Sequence, residues 1–425
     1  MAPLPSRWHA LSPMARADYA SPAATVPACA ANLTFDAAFA MVAAEARPIG
    51  IESVSLVRAG QRVLAEPVVA QLDAPRFDVA AMDGYAVRDD DLDDGETRFE
   101  VVAHSCAGDP VASPLDRGQA VYVATGAALP PGAAEVLPWE NVAAADGQIS
   151  LRGLRGRRHV RECGSDFRRG DVLLAAGRKI DPLALVTAAA ADIAKLRVWR
   201  RPDVTLITTG SELVAPGLAQ TTAVHIPDSL SHSLALFVRQ WGGRLAGGGL
   251  VADDASAIRQ AAADALTHSD VLVMIGGASQ GERDFSRAAL EPLGLECHFT
   301  EVSIKPGKPV WYGRIGDRHV LGLPGNPTAA MTVARLFLAP LLAGLSGRGA
   351  AAALQWSPTP LSHSAPANGE REAFLCAASC VGGARILDRQ SASTQLALAQ
   401  TDLLVRRPVG APPLVIGDLV SATRF

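Results

Sequence analysis

The stretch VLVMIGGASQGERD, residues 271–284, decides the fold. Five apolar residues lead directly into a turn with three glycines, a serine and two acidic residues, which is typical of a buried strand that ends in a polar loop. Two more segments have this form: VTLITTGSE at 204–212 and LGLPGNP at 321–327, where Pro327 suits the first turn of a helix. The three segments predict strands of one sheet.

Helical patterns alternate with these strands. An Ala-rich helix begins near residue 183, and further helical stretches cover 229–240, 255–267, 285–293 and 328–345. Strands that alternate with helices predict a parallel sheet with crossover helices. In such sheets ligands bind where strands end, because loop amides and helix N-termini present unpaired N–H groups to anions.

The chain on either side of this region has β patterning. A helix at 34–45 leads into extended structure at 52–68, and short Val-rich runs between 73 and 140 predict a small β domain. The last ~80 residues also alternate as strands do. The first ~30 residues, rich in Ala and Pro, are typical of a loosely ordered extension.

Composition excludes several classes of protein. The 425 residues are 49% hydrophobic, which indicates a multidomain globular chain, and 39 basic against 43 acidic residues give a net charge of −4. Without a long Lys/Arg stripe we expect no nucleic acid partner. No apolar run approaches the ~18 residues that span a bilayer, so we expect a cytoplasmic protein without membrane contact. The six scattered cysteines lack a Cys-x-x-Cys pair, and reduced thiols are the simplest account.

The three glycine turns together favour a phosphorylated ligand, although single glycine turns are usually structural. Glu212 and Asp284 would repel a phosphate unless Mg²⁺ reversed the local charge; helix capping or surface solvation is the alternative for each acid. Lys305 and Lys308 place two cations on a proline-stiffened loop suited to an oxyanion, or else form a solvated pair.

Two further segments place polar groups at turns. Asp83 and Gly84 interrupt the apolar run at 77–87, for which a hairpin is the structural alternative, and Thr125 precedes Gly126. We find no spacing of a hydrolytic triad and no Walker A or Gly-x-Gly-x-x-Gly sequence.

Six motifs in order resemble one family. They are AMDGYAV (81–87), TGA (125–127), TGSEL (209–213), GGASQGERD (276–284), KPGKP (305–309) and LPGNP (323–327). From about residue 34 to the C-terminus the chain resembles the molybdopterin molybdenumtransferases, which include the equivalent domain of gephyrin.

The resemblance implies a multidomain α/β plus β fold: an elongated chain that forms a homodimer with an active site shared between subunits. The implied domains are an N-terminal extension (1–32), a discontinuous linking domain (33–72 and 141–182), a small β domain (73–140), a three-layer α/β molybdopterin-binding domain (183–346) and a C-terminal β-barrel (347–425).

The resemblance also implies a reaction: molybdenum from molybdate joins the dithiolene of adenylylated molybdopterin, and AMP leaves. Catalytic roles fall to Asp83, Thr125, Glu212 and Asp284, the last two also holding Mg²⁺. Substrate contacts fall to Thr209, Gly210, Asp228, Ser229, Gly276, Gly277, Ser279, Gly281, Lys305, Lys308, Pro324, Gly325, Asn326 and Arg371. An upstream adenylyltransferase and a downstream molybdoenzyme are possible partners.

Some positions depart from the family pattern and leave alternatives open. Apolar residues replace polar ones at Val79, Ala80, Ala134, Ile275, Leu230 and Ala329. A divergent paralogue that carries molybdopterin or its nucleotide without converting it is therefore one alternative. An adenylyltransferase is another, and a preference for tungstate is a third.

Overall fold

The computed structural model describes residues 29–152, 156–277 and 285–425. The chain divides into two compact units. The first unit comprises Met1–Glu52 and Trp199–Phe425, and the second unit comprises Ser53–Val198.

The secondary structure follows the predicted order of β, α/β and β regions. The helices are α1 Phe35–Glu45, α2 Leu56–Ala59, α3 Asp89–Asp93, α4 Pro182–Ala190, α5 Ser231–Gln240, α6 Ala255–His268, α7 Phe285–Leu290, α8 Pro327–Val333, α9 Ala339–Leu345 and α10 Gln395–Leu398. The strands are β1 Ile51–Ser55, β2 Val68–Val69, β3 Val79–Ala80, β4 Gly84–Val87, β5 Arg98–Ser105, β6 Gln119–Val123, β7 Glu135–Pro138, β8 Val142–Ala145, β9 Gln148–Leu151, β10 Val160–Arg161, β11 Val172–Leu174, β12 Lys195–Trp199, β13 Asp203–Thr209, β14 Leu213–Val214, β15 Ile226–Pro227, β16 Arg244–Val251, β17 Val271–Ile275, β18 Glu296–Phe299, β19 Ile304–Lys305, β20 Trp311–Ile315, β21 Arg318–Leu323, β22 Ser357–Pro360, β23 Glu372–Cys380, β24 Gly383–Ile386, β25 Leu403–Arg407 and β26 Leu419–Arg424.

A six-stranded sheet in the first unit confirms the predicted α/β fold. Its order is β16-β13-β17-β21-β20-β18. Strands β16, β13, β17 and β21 are parallel to one another, β20 pairs antiparallel with β21, and β18 pairs antiparallel with β20. Successive side chains of a strand point to opposite faces. Val271 and Val273 accordingly pack with α1, α5, α8 and α9, whereas Leu272 and Met274 pack with α6 and α7. Helices therefore cover both faces of the sheet.

One long apolar helix corrects the expectation that no run is long enough to span a membrane. Residues 327–345 form 19 continuous helical residues whose length and composition would suffice, but 94% of this apolar stretch is buried inside the fold. Its middle, Ala334–Leu338, is π-helical. The buried position shows a core helix of the first unit.

A second sheet in the first unit has the order β19-β23-β25-β26-β22, with β24 pairing β23. Its apolar side chains, including Val405 and Val420, form a separate buried cluster. The parallel pairing of β19 with β23 places the KPGKP loop beside the start of β23. This pairing therefore helps to form the candidate site.

The second unit contains a sheet of order β7-β4-β6-β5-β9-β8. Strands β8 and β9 lie beyond residue 140, the predicted end of the small β domain. The sequence did not indicate that the sheet continues, because the alanines of β8 give little strand signal. The hairpin alternative for residues 77–87 is wrong: β3 pairs with β10, whereas β4 pairs with β6 and β7.

Cys29 and Cys297 form a disulfide, which corrects the expectation of reduced thiols throughout. The two cysteines are 268 residues apart, so no local spacing could indicate the pairing. Ala30 and Leu33 continue this attachment through bridges to Phe299 and Val302. The predicted N-terminal extension thus ends in residues that pair with the first unit.

A buried histidine in the sheet predicts a pH-dependent stability. His319 on β21 is 4% exposed, its Nδ1 is 2.9 Å from the Tyr312 hydroxyl, and burial lowers its pKa to about 4. The unfolded chain, with an ordinary pKa near 6.5, takes up this proton first as the pH falls. We expect the free energy of unfolding to decrease between pH 6.5 and 4 by up to about 3 kcal/mol from this group.

Urea denaturation at a series of pH values, with His319→Gln as the comparison, measures this effect. The variant keeps a hydrogen-bonding side chain but does not titrate, so its stability should change less over this range. Identical pH profiles for the two proteins would contradict the assignment.

Candidate oxyanion site and glycine turns

The three predicted glycine turns meet at one edge of the α/β sheet. The Gly276 amide donates to the Leu323 carbonyl at 3.1 Å, and a Cβ on Gly325 would lie 3.6 Å from the Gly276 Cα. Thr209, which ends β13, adjoins Gly276 on the other side. The parallel strands therefore bring together three segments that are distributed between residues 204 and 327 of the sequence.

The turn after β17 requires glycine at both of its first positions. Gly276 and Gly277 have φ of +87° and +58°, a region that disfavours L side chains. A Cβ on Gly276 would lie 2.7 Å from the Thr209 carbonyl oxygen, and one on Gly277 would lie 2.4 Å from the Ser286 Oγ. The glycines thus serve both the turn and the close approach of the neighbouring chain.

Thr209 has a buried hydroxyl at this edge. The residue is 5% exposed, and its Oγ1 has no hydrogen-bond partner within the described ranges. A buried hydroxyl without a partner is unfavourable. Thr209 is therefore available to a ligand or to the rest of the turn.

Asp228 has a structural role in the fold. Its Oδ1 accepts hydrogen bonds from the amides of Leu230 and Ser231 at 3.0 and 3.1 Å, at the start of α5. This is the capping arrangement that satisfies free amides at a helix N-terminus. Ser229 is exposed beside it, and its carbonyl accepts from Ser233. Substrate contact by Asp228 and Ser229 stays a prediction.

The predicted metal ligands are only partly within the described structure. Glu212 is exposed in the turn after Gly210, and the preceding amide of Ser211 donates to Asp253 at 2.9 Å. Ser279, Gly281 and Asp284 lie outside the described residues. Within 29–152, 156–277 and 285–425 no three His, Cys, Asp or Glu side chains are grouped to hold a metal ion. Asp253 is an acidic neighbour that the sequence analysis did not identify.

A cavity of about 500 Å³ adjoins the glycine turns through residues 324–326. It is lined by Lys305, Pro306, Gly307, Lys308, Pro309, Pro324, Asn326, Ala329, Arg371, Gln390, Ser391 and Ala392. Five predicted substrate contacts thus line one cavity: Lys305, Lys308, Pro324, Asn326 and Arg371. Lys305, Lys308 and Arg371 give it a positive charge that suits an oxyanion.

Local contacts position these cations. Lys308 Nζ is 3.1 Å from a carboxylate oxygen of Glu301, and Arg371 Nη1 donates to the Ile304 carbonyl at 3.4 Å. Gly307, with φ +103°, allows the loop to pass Val333, whose Cγ2 would be 2.4 Å from a Cβ at that position. Lys305 is exposed. Two of the four lysines of the chain are in this loop.

The third glycine turn differs from the expected anion-binding helix N-terminus. Pro327 is at the first helical position, as predicted, but the amides of Thr328 and Ala329 donate to the Ala392 carbonyl at 3.0 and 3.3 Å. Those two amides are therefore already paired. The groups of the cavity that suit an anion are instead its side-chain cations. Residues 390–392, which form part of its wall, carried no motif that could have identified them.

In the second unit, Asp83 and Thr125, two of the predicted catalytic residues, are in direct contact. The amide and hydroxyl of Thr125 donate to Asp83 Oδ1 at 2.6 and 2.8 Å. These two hydrogen bonds lower the pKa of the exposed Asp83 carboxyl. Asp83 is therefore an ionised carboxylate held by a neighbouring turn, in which Gly126 has φ +83°.

Two family models match this chain. The family model described as the MoeA N-terminal region (domain I and II) matches residues 33–191, and the probable molybdopterin binding domain matches residues 205–344. The molybdopterin molybdenumtransferase of Haemophilus influenzae is 33% identical over 315 residues, which cover 74% of this chain and 76% of that protein.

Further relatives extend the similarity in sequence and in structure. The molybdopterin molybdenumtransferase of Synechococcus elongatus is 34% identical over 324 residues, covering 73% of this chain and 80% of its own. The crystal structure of the molybdopterin biosynthesis MoeA protein from Pyrococcus horikoshii superposes with a TM-score of 0.80 at 29% identity, over 92% of this chain and 99% of that one. At these identities and coverages, the chain belongs to the molybdopterin molybdenumtransferase family.

Proposed function

We propose that this protein inserts molybdenum into adenylylated molybdopterin and releases AMP. The observation that carries the proposal is the positively charged cavity formed by the KPGKP loop and Arg371, directly beside the glycine turns of the α/β sheet. An oxyanion site lies next to turns that suit a phosphorylated ligand. This arrangement supports a reaction that joins the oxyanion to the phosphorylated substrate. The names of the relatives support the same reaction.

The chemistry balances without an external oxidant or reductant. Two Mo–S bonds form as the dithiol displaces one molybdate oxygen, which leaves as water with the two thiol protons. One water molecule cleaves the phosphoanhydride, so AMP and the pterin phosphate separate with no net consumption of water. The cavity cations would hold molybdate, while Thr209 and the glycine turns would orient the pterin nucleotide.

A divalent cation fits one part of this arrangement. Mg²⁺ is usually held by one or two carboxylates together with substrate phosphates, and Glu212 supplies an exposed carboxylate at the glycine edge. We propose Glu212 and Asp284 as its ligands. When bound, Mg²⁺ would neutralise charge on the phosphoanhydride. Asp83, kept ionised by Thr125, would orient water or the metal for the same reaction.

AMP release tests the proposal directly. Purified protein is incubated with adenylylated molybdopterin and Mg²⁺, with and without molybdate, and AMP is quantified by chromatography. We expect release that depends on molybdate and is lost in Asp284→Asn. Tight binding without release would instead establish the carrier alternative, and AMP transfer from ATP to molybdopterin would establish an adenylyltransferase. Tungstate in place of molybdate measures oxyanion preference.

We also propose a homodimer. In the second unit Val57, Leu183 and Val186 are 96%, 73% and 68% exposed, and the helices that carry them, α2 and α4, are in contact. Exposed apolar side chains grouped in this way are typical of protein interfaces. Sedimentation should give about twice the chain mass of 44.1 kDa, and Leu183→Glu with Val186→Glu should reduce it. A monomer at micromolar concentration would refute the dimer.

The remaining expectations concern the cell and the domain plan. We propose a cytoplasmic location, with a pterin adenylyltransferase acting before this protein and a molybdoenzyme receiving its product. We further propose the four-domain division of the family for this chain, with the small β domain continued to Leu151.

A further inference from the structure

A second cavity in the first unit, about 400 Å³, is separate from the KPGKP cavity. It lies between the core helix at 327–345 and the C-terminal sheet. The lining includes the polar groups of four residues, Trp241, Arg335, Thr423 and Arg424. It also includes the apolar side chains of Ala352 and Leu403. No residue of this cavity has a role in the function proposed above.

Arg335 is the central feature of this cavity. It is 3% exposed; its Nε donates to the Arg424 carbonyl at 2.7 Å and its Nη2 donates to Thr423 Oγ1 at 3.1 Å. The third guanidinium nitrogen, Nη1, is buried and has no hydrogen-bond partner in the described part of the chain. Burial lowers the pKa of Arg335 to about 10, which still leaves it charged at neutral pH. Arg335 therefore has unused hydrogen-bonding capacity and an uncompensated charge.

Two more arginines lie near Arg335: Arg424 lines the cavity, and Arg348 contacts the ring of Trp241, a lining residue. The guanidinium carbons of Arg335 and Arg348 lie 4.7 and 5.4 Å from the ring centroid of Trp241. Arg424 is exposed at the cavity near the carboxylate of Asp402, and none of the described lining residues is itself acidic. Neither Arg335 nor Arg348 forms an ion pair with a described carboxylate within 4.0 Å, in contrast to Arg200, Arg244 and Arg406.

A buried cation without a counter-ion is unfavourable unless an anion completes its environment. The Trp241 ring offsets part of the cost, since the face of an aromatic ring attracts a cation. Arg335 also lies in the π-helical turn Ala334–Leu338, and such turns are frequent at functional sites. A residue that only anchored the C-terminal sheet would need neither the unpaired buried nitrogen nor the cation–π contact nor the π-helical turn.

We propose that this cavity binds the phosphate group of a small molecule. A guanidinium fork matches phosphate geometry, and phosphate accepts more hydrogen bonds than a carboxylate, which suits a cavity lined by the two arginines Arg335 and Arg424. The cavity volume is within the range of small-molecule sites, and its alanine and leucine wall suits an apolar group attached to the phosphate. A free phosphate ion and a phosphate monoester share this chemistry.

Calorimetry with two probes tests the proposal and identifies the source of the phosphate. Inorganic phosphate and phenyl phosphate are titrated into full-length protein that carries Lys305→Gln, Lys308→Gln and Arg371→Gln, so that the KPGKP cavity loses its three cations. We expect binding of at least one probe in this background. Tighter binding of phenyl phosphate indicates a monoester, and equal binding indicates the free ion. The readout does not depend on turnover, so failure of the proposed function leaves it intact.

Variants of the cavity itself decide the outcome. Arg424→Gln at the exposed rim should weaken binding at least tenfold, and Arg335→Met should abolish it, while Arg239→Gln, an exposed arginine on α5 outside the cavity, should have no effect. Arg424→Gln keeps the test valid if Arg335→Met does not fold. Absence of binding in the triple-variant background, or binding unchanged by Arg424→Gln, would overturn the proposal and leave Arg335 as a structural link.

Discussion

Lys308→Gln should lower molybdate-dependent AMP release about 100-fold at low molybdate, which corresponds to about 2.7 kcal/mol of lost stabilisation. Lys308 lines the KPGKP cavity, where its charge would contact the oxyanion. The variant also leaves the carboxylate of Glu301, now 3.1 Å from the lysine nitrogen, without this counter-charge. Both changes disfavour an anion, so we expect the KM for molybdate to rise more than kcat falls.

A double variant separates the two effects. Glu301→Gln with Lys308→Gln removes the carboxylate charge as well, and it should recover several-fold of the lost affinity for molybdate. Lys195→Gln, an exposed lysine on β12 of the second unit, is the matched control and should leave kinetics unchanged. If Lys308→Gln keeps the KM of the unaltered protein, the oxyanion is bound elsewhere.

The α/β core was predictable because apolar runs in its strands lead directly into turns that carry glycine. Strand β17 was predicted at 271–275 and is found at Val271–Ile275, while helix α6 differs from its prediction by one residue. In contrast β16 gave no strand signal, because three successive glycines at 247–249 have low strand propensity. A Cβ on Gly248 would lie 2.6 Å from the Leu206 carbonyl oxygen, so packing rather than propensity explains this strand.

The candidate site was predictable where a motif carried it and not where tertiary contacts completed it. Lys305, Lys308 and Arg371 were identified in sequence, whereas Ser391 joins them only because the backbone at Ala392 caps the helix that begins at Pro327. Pairings between distant residues, such as Cys29 with Cys297, have no local pattern. The same limit applies to Arg335, whose burial depends on the C-terminal sheet.

A carboxylate at the opposite end of the sheet from the glycine turns should have the largest effect on stability. Asp270, immediately before β17, is 7% exposed and accepts hydrogen bonds from both terminal nitrogens of Arg200 at 2.9 and 2.8 Å. It also accepts from Arg318 at 3.2 Å and from the Asp203 amide at 2.7 Å. Burial raises the pKa of Asp270, but the hydrogen bonds from Arg200 and Asp203 and the nearby arginine charges lower it overall. The ionised form therefore stabilises the fold above the ordinary carboxyl pKa, and this stability decreases as the pH falls below that value.

We expect Asp270→Ala to lower the free energy of unfolding by about 3–5 kcal/mol, since removal of one partner leaves the other charges partly buried and unpaired. Arg200, the Asp203 amide at the start of β13 and Arg318 at the start of β21 all lose a common acceptor, so the effect should extend across the sheet. Asp270→Asn keeps an acceptor oxygen without the charge and should lose less. Asp317→Ala is the matched control, because that carboxylate is fully exposed and its contact with Arg314 at 3.5 Å should contribute less than about 1 kcal/mol. Urea denaturation followed by circular dichroism measures all three variants. Equal midpoints for Asp270→Ala and Asp317→Ala would show that the buried network does not stabilise the sheet.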